Sequence, residues 1–220
     1  MTGRVASVNV VHALIPDVLG SEDRTAIDKR PVDGRVPVSV PGDAEVGLTG
    51  DQIYDRKHHG GPDQAVYAYA AEDRAWWAGE LGREIAAGAF GENLTTQGLD
   101  VSGAVIGERW QVGPDGLLLE VTAPRIPCRT FQGWIDEPHW VKRFTAHGAP
   151  GAYLRVVTEG TVGADDRVIV LDRQTHGVTI GDVFVIRRAP ADGLLQLLEM
   201  PGLHANLADA VRRDLAARAR

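Results

Sequence analysis

Short β-type runs rich in apolar and β-branched residues, separated by Gly, Pro and Asp, fill most of the first 188 residues. Short runs of this composition, bounded by turn-forming residues, predict strands. The runs cover residues 5–11, 36–40, 64–70, 105–112, 117–122, 153–158, 168–171 and 183–187. Two stretches change to helical composition. Residues 72–81 stop at Gly82; residues 138–147 begin with a proline, place Trp140, Val141 and Phe144 on one face, and end before Gly148. Beyond Pro190, Leu194, Leu195, Leu197 and Leu198 cluster, and Leu203, Leu207, Val211 and Leu215 recur at four-residue spacing, so two amphipathic helices are predicted around Pro201 and Gly202. The expected fold is mainly β, a barrel or sandwich with peripheral helices. It divides into a β domain over residues 1–189 and a short C-terminal helical appendage over residues 190–220. The apolar stripe of the appendage either docks on its own barrel or offers a partner or homodimer surface; docking is favoured, because such stripes normally face a core.

Composition narrows the function classes. A 220-residue chain with 44% hydrophobic and 24% charged residues can bury a sizeable core and is not a disordered chain. A net charge of −7 and a pI near 5.5 oppose extended nucleic-acid binding or an anionic-membrane surface, so any anion site must be local. No stretch reaches the ~20 apolar residues of a membrane span, and the first residues lack the apolar core and cleavage site of a secretory signal. A cytoplasmic protein is expected. The single cysteine, Cys128, has no partner for an internal disulfide, which leaves its thiol available.

Three segments carry candidate chemistry. In APRIPCRTF, from Ala123 to Phe131, Cys128 follows a β-type run and lies between Pro127 and Arg129, with Arg125 close by. Thiolate is the reactive and metal-binding form, and nearby guanidinium charge favours it. A lone cysteine is ordinarily a small buried hydrophobe, but its basic setting alters that reading. Structural zinc is disfavoured, since it wants four Cys or His ligands and no second cysteine exists. A soft thiolate suits a soft metal whose other ligands come from a cofactor. In RKHHGGPDQAVY, from Arg56 to Tyr67, basic and donor groups precede Gly60 and Gly61, glycines that let a backbone approach an anion such as a phosphate. A solvated polar turn explains that segment equally well when it is taken alone. His58 and His59 are adjacent, so at most one enters a site. In GAFGENLTTQGLD, from Gly88 to Asp100, Asn93 can donate and accept towards a heterocycle and Glu92 can accept or orient a donor, although an ordinary loop explains these residues too.

Taken in this order, and followed by GAYLRV (residues 151–156), the segments resemble the MOSC domain, named for the C-terminal part of molybdenum cofactor sulfurases, and within it the YiiM-like branch. TAIDKRPV (25–32), GLTGD (47–51) and IGERWQVG (106–113) extend the resemblance, which runs from about Val5 to about Arg187. It implies a closed or nearly closed β-barrel of the pyruvate-kinase-barrel type with peripheral helices. It also implies a molybdopterin-type molybdenum cofactor whose metal is held by Cys128, with His59, Gly60, Gly61, Glu92 and Asn93 lining the pocket. To these we add Lys29, Lys57, Arg125 and Arg129 as candidate phosphate or pterin contacts. The implied activity is an oxidoreductase reaction, reduction of N-hydroxylated compounds such as hydroxylaminopurine-type bases, amidoximes and hydroxylamines. Electrons would come from a separate flavin or iron–sulfur protein. Two alternatives stay open: a sulfur carrier using a Cys128 persulfide, and a non-catalytic module that binds or delivers the cofactor. Pyridoxal-phosphate chemistry finds no support, because Lys29, Lys57 and Lys142 lie in polar surroundings. The chain departs from the YiiM-like pattern where HGVTIGDVFVI (176–186) intervenes and where the helical tail ends early.

Overall fold

The structure, a computed structural model, describes residues 2–43, 45–55, 59–186 and 189–219. In chain order its strands are β1 (Thr2–Pro16), β2 (Arg24–Pro31), β3 (Val36–Val38), β4 (Val66–Ala70), β5 (Leu94–Gln97), β6 (Arg109–Val112), β7 (Leu117–Pro124), β8 (Ala152–Thr158), β9 (Gly160–Val162) and β10 (Arg167–Val170). The helices are α1 (Ala71–Leu81), α2 (Arg129–Ile135), α3 (Trp140–His147), α4 (Ile180–Phe184), α5 (Ala191–Leu198) and α6 (Ala205–Arg218). Hydrogen bonding follows the order β10-β6-β7-β8-β4-β5-β1, and β10 pairs back onto β1, which closes a seven-stranded barrel. Only the β4–β5 pair is parallel, and α1 lies in the connection between those strands. No free edge remains around that ring.

β1 is long because it serves two structures. Its first half pairs with β10 and β5 in the barrel wall, while its second half continues outward and pairs with β2 from Asn9↔Pro31 to Pro16↔Arg24. Irregularities at Val5/Ser7, Val11/Ala13 and Ala13/Ile15 interrupt the register, the kind of defect that bends a strand away from a sheet. The β1–β2 arm therefore overhangs one end of the barrel, and it supplies a wall of the candidate site.

The two-residue period explains why β4 is buried throughout. Val66, Ala68 and Ala70 join the barrel core with Leu117, Leu119, Val121 and Leu154, whereas Tyr67 and Tyr69 join a second, aromatic cluster outside. That cluster packs α1, α2 and α3 against the barrel through Trp77, Phe90, Phe131, Trp140 and Phe144. Phe131 meets the rings of Phe90, Trp140 and Phe144 edge-on at 5.2 to 5.6 Å, and each such pair contributes about 0.5–1.5 kcal/mol beyond its area. Phe131 thereby fixes the start of α2, next to Cys128. Leu194, Leu197, Leu207 and Val211 of the C-terminal helices belong to the same apolar cluster as the barrel interior.

Several expectations change in the structure. Of the strand expected over 183–187, residues 183–186 do not form one and Arg187 lies outside the described residues: the Thr179 hydroxyl accepts from the Asp182 N–H at 3.1 Å, and the Asp182 carboxylate accepts from the Thr179 N–H at 3.0 Å. This reciprocal cap commits Ile180–Phe184 to helix α4. The strand expected over 105–112 begins only at Arg109, because Gly107 adopts a φ of +80° in a turn. β2, β5 and β9 lack a legible apolar alternation. In β5, Thr95 and Thr96 are buried polar residues, and Thr95 bonds to Asn9 and Glu92. α2 has only seven residues, too few to show a helical period.

Candidate functional site

Cys128 lies four residues beyond the end of β7, in extended backbone (φ −126°, ψ 175°), and is the residue on which α2 begins. It is partly exposed and borders two adjoining cavities. The inner one, of about 120 Å³, lies between the β1–β2 arm and the barrel end, with Lys29, Gly60, Asn93 and Arg125 on its walls. The outer one, of about 650 Å³, opens between the 123–130 segment and α6. His59, Gln64, Thr130 and Tyr153 border both. The arm is tied down beside the cysteine, since the Thr130 hydroxyl donates to the Asp17 carboxylate at 2.7 Å.

The basic residues separate into distinct roles. Lys29 Nζ is paired at 2.5 Å with Asp51, whose fully covered carboxylate also accepts from Asn93 Nδ2 at 2.8 Å and the Val11 N–H at 3.0 Å. Its charge is neutralised within the protein. Arg125 is 5% exposed; its guanidinium lies 3.8 Å over the Phe131 ring and 5.7 Å from that of Tyr67. It has no carboxylate partner among the described residues, and its Nη1 is buried without a hydrogen bond. A buried cation with a free N–H is costly unless an anion completes it. Arg129 is exposed and borders only the outer cavity, so the two arginines flanking Cys128 face different spaces. Lys57 lies outside the described residues.

Gly60 and Gly61 both adopt positive φ, +87° and +84°, which bulkier residues resist. Gly60 reaches the inner wall, whereas Gly61 is buried behind it and donates its N–H to the Glu45 carbonyl at 2.9 Å. Asn93 reaches the wall with its amide committed: Oδ1 accepts from the Tyr67 N–H at 3.0 Å and Nδ2 donates to Asp51. Glu92 is on neither wall. It is fully buried and accepts from the N–H groups of Gly88 (2.7 Å) and Phe90 (3.0 Å) and the Thr95 hydroxyl (2.8 Å), fixing the 88–92 turn. Burial raises its pKa and those bonds oppose the rise. His59 Nδ1 lies 3.5 Å from the Tyr153 hydroxyl. Burial pushes the Tyr153 pKa up against the pull of Arg125, so the hydroxyl holds its proton at neutral pH.

Several wall residues were not singled out from the sequence. Gln64 and Tyr153, with Asp51 behind them anchoring Lys29 and Asn93, fall inside quoted segments, GGPDQAVY, GAYLRV and GLTGD, but nothing in their spacing distinguishes them. His204, just before α6, and Asn206 and Ala210 within it lie over 70 residues beyond Cys128 and carry no local signal; Leu207 is legible only as part of the apolar stripe. Among the described residues no group of three or more His, Cys, Asp or Glu side chains could hold a metal ion, and no helix is long and apolar enough to cross a membrane.

With this geometry in view, comparisons locate the chain among known proteins. The family model of the MOSC domain matches residues 55–169. Protein YiiM of Escherichia coli (strain K12) is 34% identical over 165 residues, 74% of this chain and 70% of that protein. A protein named Reductase from Gibberella moniliformis is 33% identical over 158 residues, 70% of this chain but 27% of its own length. The crystal structure of YiiM from Geobacillus stearothermophilus superposes with a TM-score of 0.74 at 25% identity, covering 97% of this chain and 99% of that one.

Proposed function

The chain belongs to the MOSC domain family, and from that premise we propose that its paired cavities bind a molybdopterin-type molybdenum cofactor, with Cys128 as the protein's ligand to the metal. One observation carries the reading: the thiol borders the cavity into which Arg125 projects a buried, unneutralised guanidinium. The donor set fits such a group. Arg125 would pair with its anionic end, with the Gly60 backbone beside it, while Lys29 and Asn93, both tied to Asp51, would shape the wall rather than supply charge. A thiolate suits a soft metal whose remaining ligands come from the organic group. When bound, the cofactor supplies a two-electron couple at the metal.

The reaction in this proposal is reduction of an N-hydroxylated compound, R–NHOH + 2 e⁻ + 2 H⁺ → R–NH₂ + H₂O. The name of the Gibberella protein favours a reductive role. Within this chain the Tyr153 hydroxyl and His59 imidazole, side by side on the walls that Cys128 shares, are placed to hold the protons taken up by the departing oxygen. A separate flavin or iron–sulfur protein supplies the electrons.

The test is metal content. Wild type and Cys128→Ala are purified from a host that makes molybdopterin, and molybdenum per chain is measured by elemental mass spectrometry. Near-stoichiometric metal in the wild type and little in the variant is the expected result; a reductase-coupled assay on hydroxylaminopurine follows. Metal in neither, from a host shown to load another molybdoenzyme, overturns the reading in favour of a sulfur carrier or a cofactor-free binding module.

A further inference from the structure

The connection at the tip of the β1–β2 arm, residues 17–23, crosses the junction of the two cavities. Asp17 lines the inner cavity, Leu19, Gly20 and Ser21 line the outer chamber, and Cys128 and Thr130 border both. Nearer the barrel the arm is fixed. Asp51 accepts from the Val11 N–H on β1 and from Lys29 Nζ on β2, and Ile15 and Ile27 pack into the aromatic cluster. Beyond the Ile15↔Thr25 pair the ladder has one further pair, Pro16↔Arg24, and Val18 and residues 21–24 are exposed. Buried apolar contacts therefore hold the root of the arm, while its tip has the few buried contacts of a segment that opens locally.

Side-chain bonds tie the tip down. The Thr130 hydroxyl donates to the Asp17 carboxylate, which also accepts from the Gly20 N–H at 2.9 Å, and the Tyr54 hydroxyl donates to Asp23 at 2.5 Å. Gly20 leaves room for the first of these bonds. A β-carbon there would stand 1.8 Å from an Asp17 carboxylate oxygen and 2.4 Å from the Thr130 hydroxyl oxygen, so any side chain at this position pushes the two apart. With the tip in place the inner cavity measures about 120 Å³, below the roughly 300 Å³ at which sites for organic ligands begin. A group of molybdopterin size enters it only if a wall moves, and the tip is the stretch of wall with the least buried support.

We propose that residues 17–23 form a flap beside Cys128, latched shut by the Asp17–Thr130 bond, and that its opening governs entry of the cofactor into the inner cavity and its release. That role rests on the cavity being the cofactor site, but the flap itself can be tested in a chain that holds no cofactor.

The full chain is prepared from a host unable to make molybdopterin, as wild type, Gly20→Ala, Thr130→Val, the double variant and Thr130→Ser. Gly20→Ala breaks the latch while keeping the Asp17 charge and the Thr130 hydroxyl in the protein; Thr130→Val removes the donor, and Thr130→Ser retains it. Deuterium uptake is compared between peptides covering 17–24 and 26–31, and alkylation of Cys128, the sole cysteine, by iodoacetamide is timed by intact mass. Each latch-breaking variant is expected to speed both exchange in 17–24 and alkylation by about tenfold, the scale of one hydrogen bond to a charged group. Residues 26–31 stay unchanged, Thr130→Ser matches wild type, and the double variant is no faster than either single one, because both changes break the same bond. In molybdenum-loaded protein the latch-breaking variants lose metal on dialysis faster than wild type. Exchange in 17–24 that ignores the latch, or faster exchange with unchanged alkylation, overturns the flap; equal metal loss overturns its part in retention. A latch that controls exchange and alkylation in a chain that never takes up molybdenum supports the flap and defeats the cofactor reading. Molybdenum uptake with exchange and alkylation insensitive to the latch does the reverse.

Discussion

Arg125 is buried against Phe131 with one N–H unsatisfied and no carboxylate partner among the described residues, an arrangement that costs stability in the ligand-free protein. A methionine of similar length would keep the contact with Phe131 and remove the charge. Arg125→Met is therefore expected to raise the thermal midpoint of cofactor-free protein, by roughly 1–3 kcal/mol of stability, while sharply lowering molybdenum retained per chain. Calorimetry and metal analysis on the same preparations check this; a lower midpoint would make Arg125 a structural cation. The sequence brings both Arg125 and Arg129 within three residues of Cys128. Only the fold separates them, because the chain leaves β7 at Pro124 and enters α2 at Arg129, turning one guanidinium inward and the other to solvent. Cys128 itself is legible, as the only cysteine in a basic, proline-bounded segment. Glu92 and Asn93 are legible as polar residues in a glycine-rich turn, but whether such residues face a ligand or their own backbone depends on contacts with β1 and β4 that no local pattern records.

Among the elements, strands built of short apolar runs are the readable ones. β4, β7, β8 and β10 announce themselves by such runs between turn residues, and α1 and α3 by composition and their closing glycines. Where polar residues share the buried positions, as Asp28 does in β2 and Thr95 and Thr96 do in β5, no apolar run is legible and long-range pairing decides. α4 offered a clue in the Thr179-x-x-Asp182 spacing of a helix cap, outweighed by the β-branched residues around it. α1 carries a pH prediction. Burial, with Asp100 and Glu72 adding repulsion, raises the Asp73 carboxyl from 3.8 to about 6. Between those values the folded chain binds more protons than the unfolded one, so this group's contribution to stability falls as pH rises from about 4 to about 6. Position in the first turn of α1 returns part of the cost through the helix dipole. Asp73→Asn should accordingly exceed wild type by roughly 1–2 kcal/mol at pH 7.5 and lose that advantage near pH 4. Urea titrations at both pH values would show it, and an advantage independent of pH would refute the origin assigned to it.

At the scale of the whole molecule, the question is whether the 190–220 tail can be separated from the barrel. Its apolar positions are legible from their spacing, and docking on its own barrel is the favoured of the two readings; which barrel residues they meet is not legible. Leu194, Leu197 and Val211 are fully buried and share one cluster with the barrel residues Val121 and Leu154. Removing the tail uncovers those residues and strips Arg155 of its contact with Gly202. At about 1.5–3 kcal/mol for each large apolar side chain, the loss is on the order of 5 kcal/mol or more, comparable to the whole stability of many domains. A chain ending at Ala189 is therefore expected to aggregate or to melt well below the full-length protein, not to behave as an independent barrel. Its thermal unfolding, followed by near-ultraviolet circular dichroism, decides the point. An undiminished midpoint would show a true appendage, and would also leave Cys128 in a barrel whose outer chamber has lost one wall.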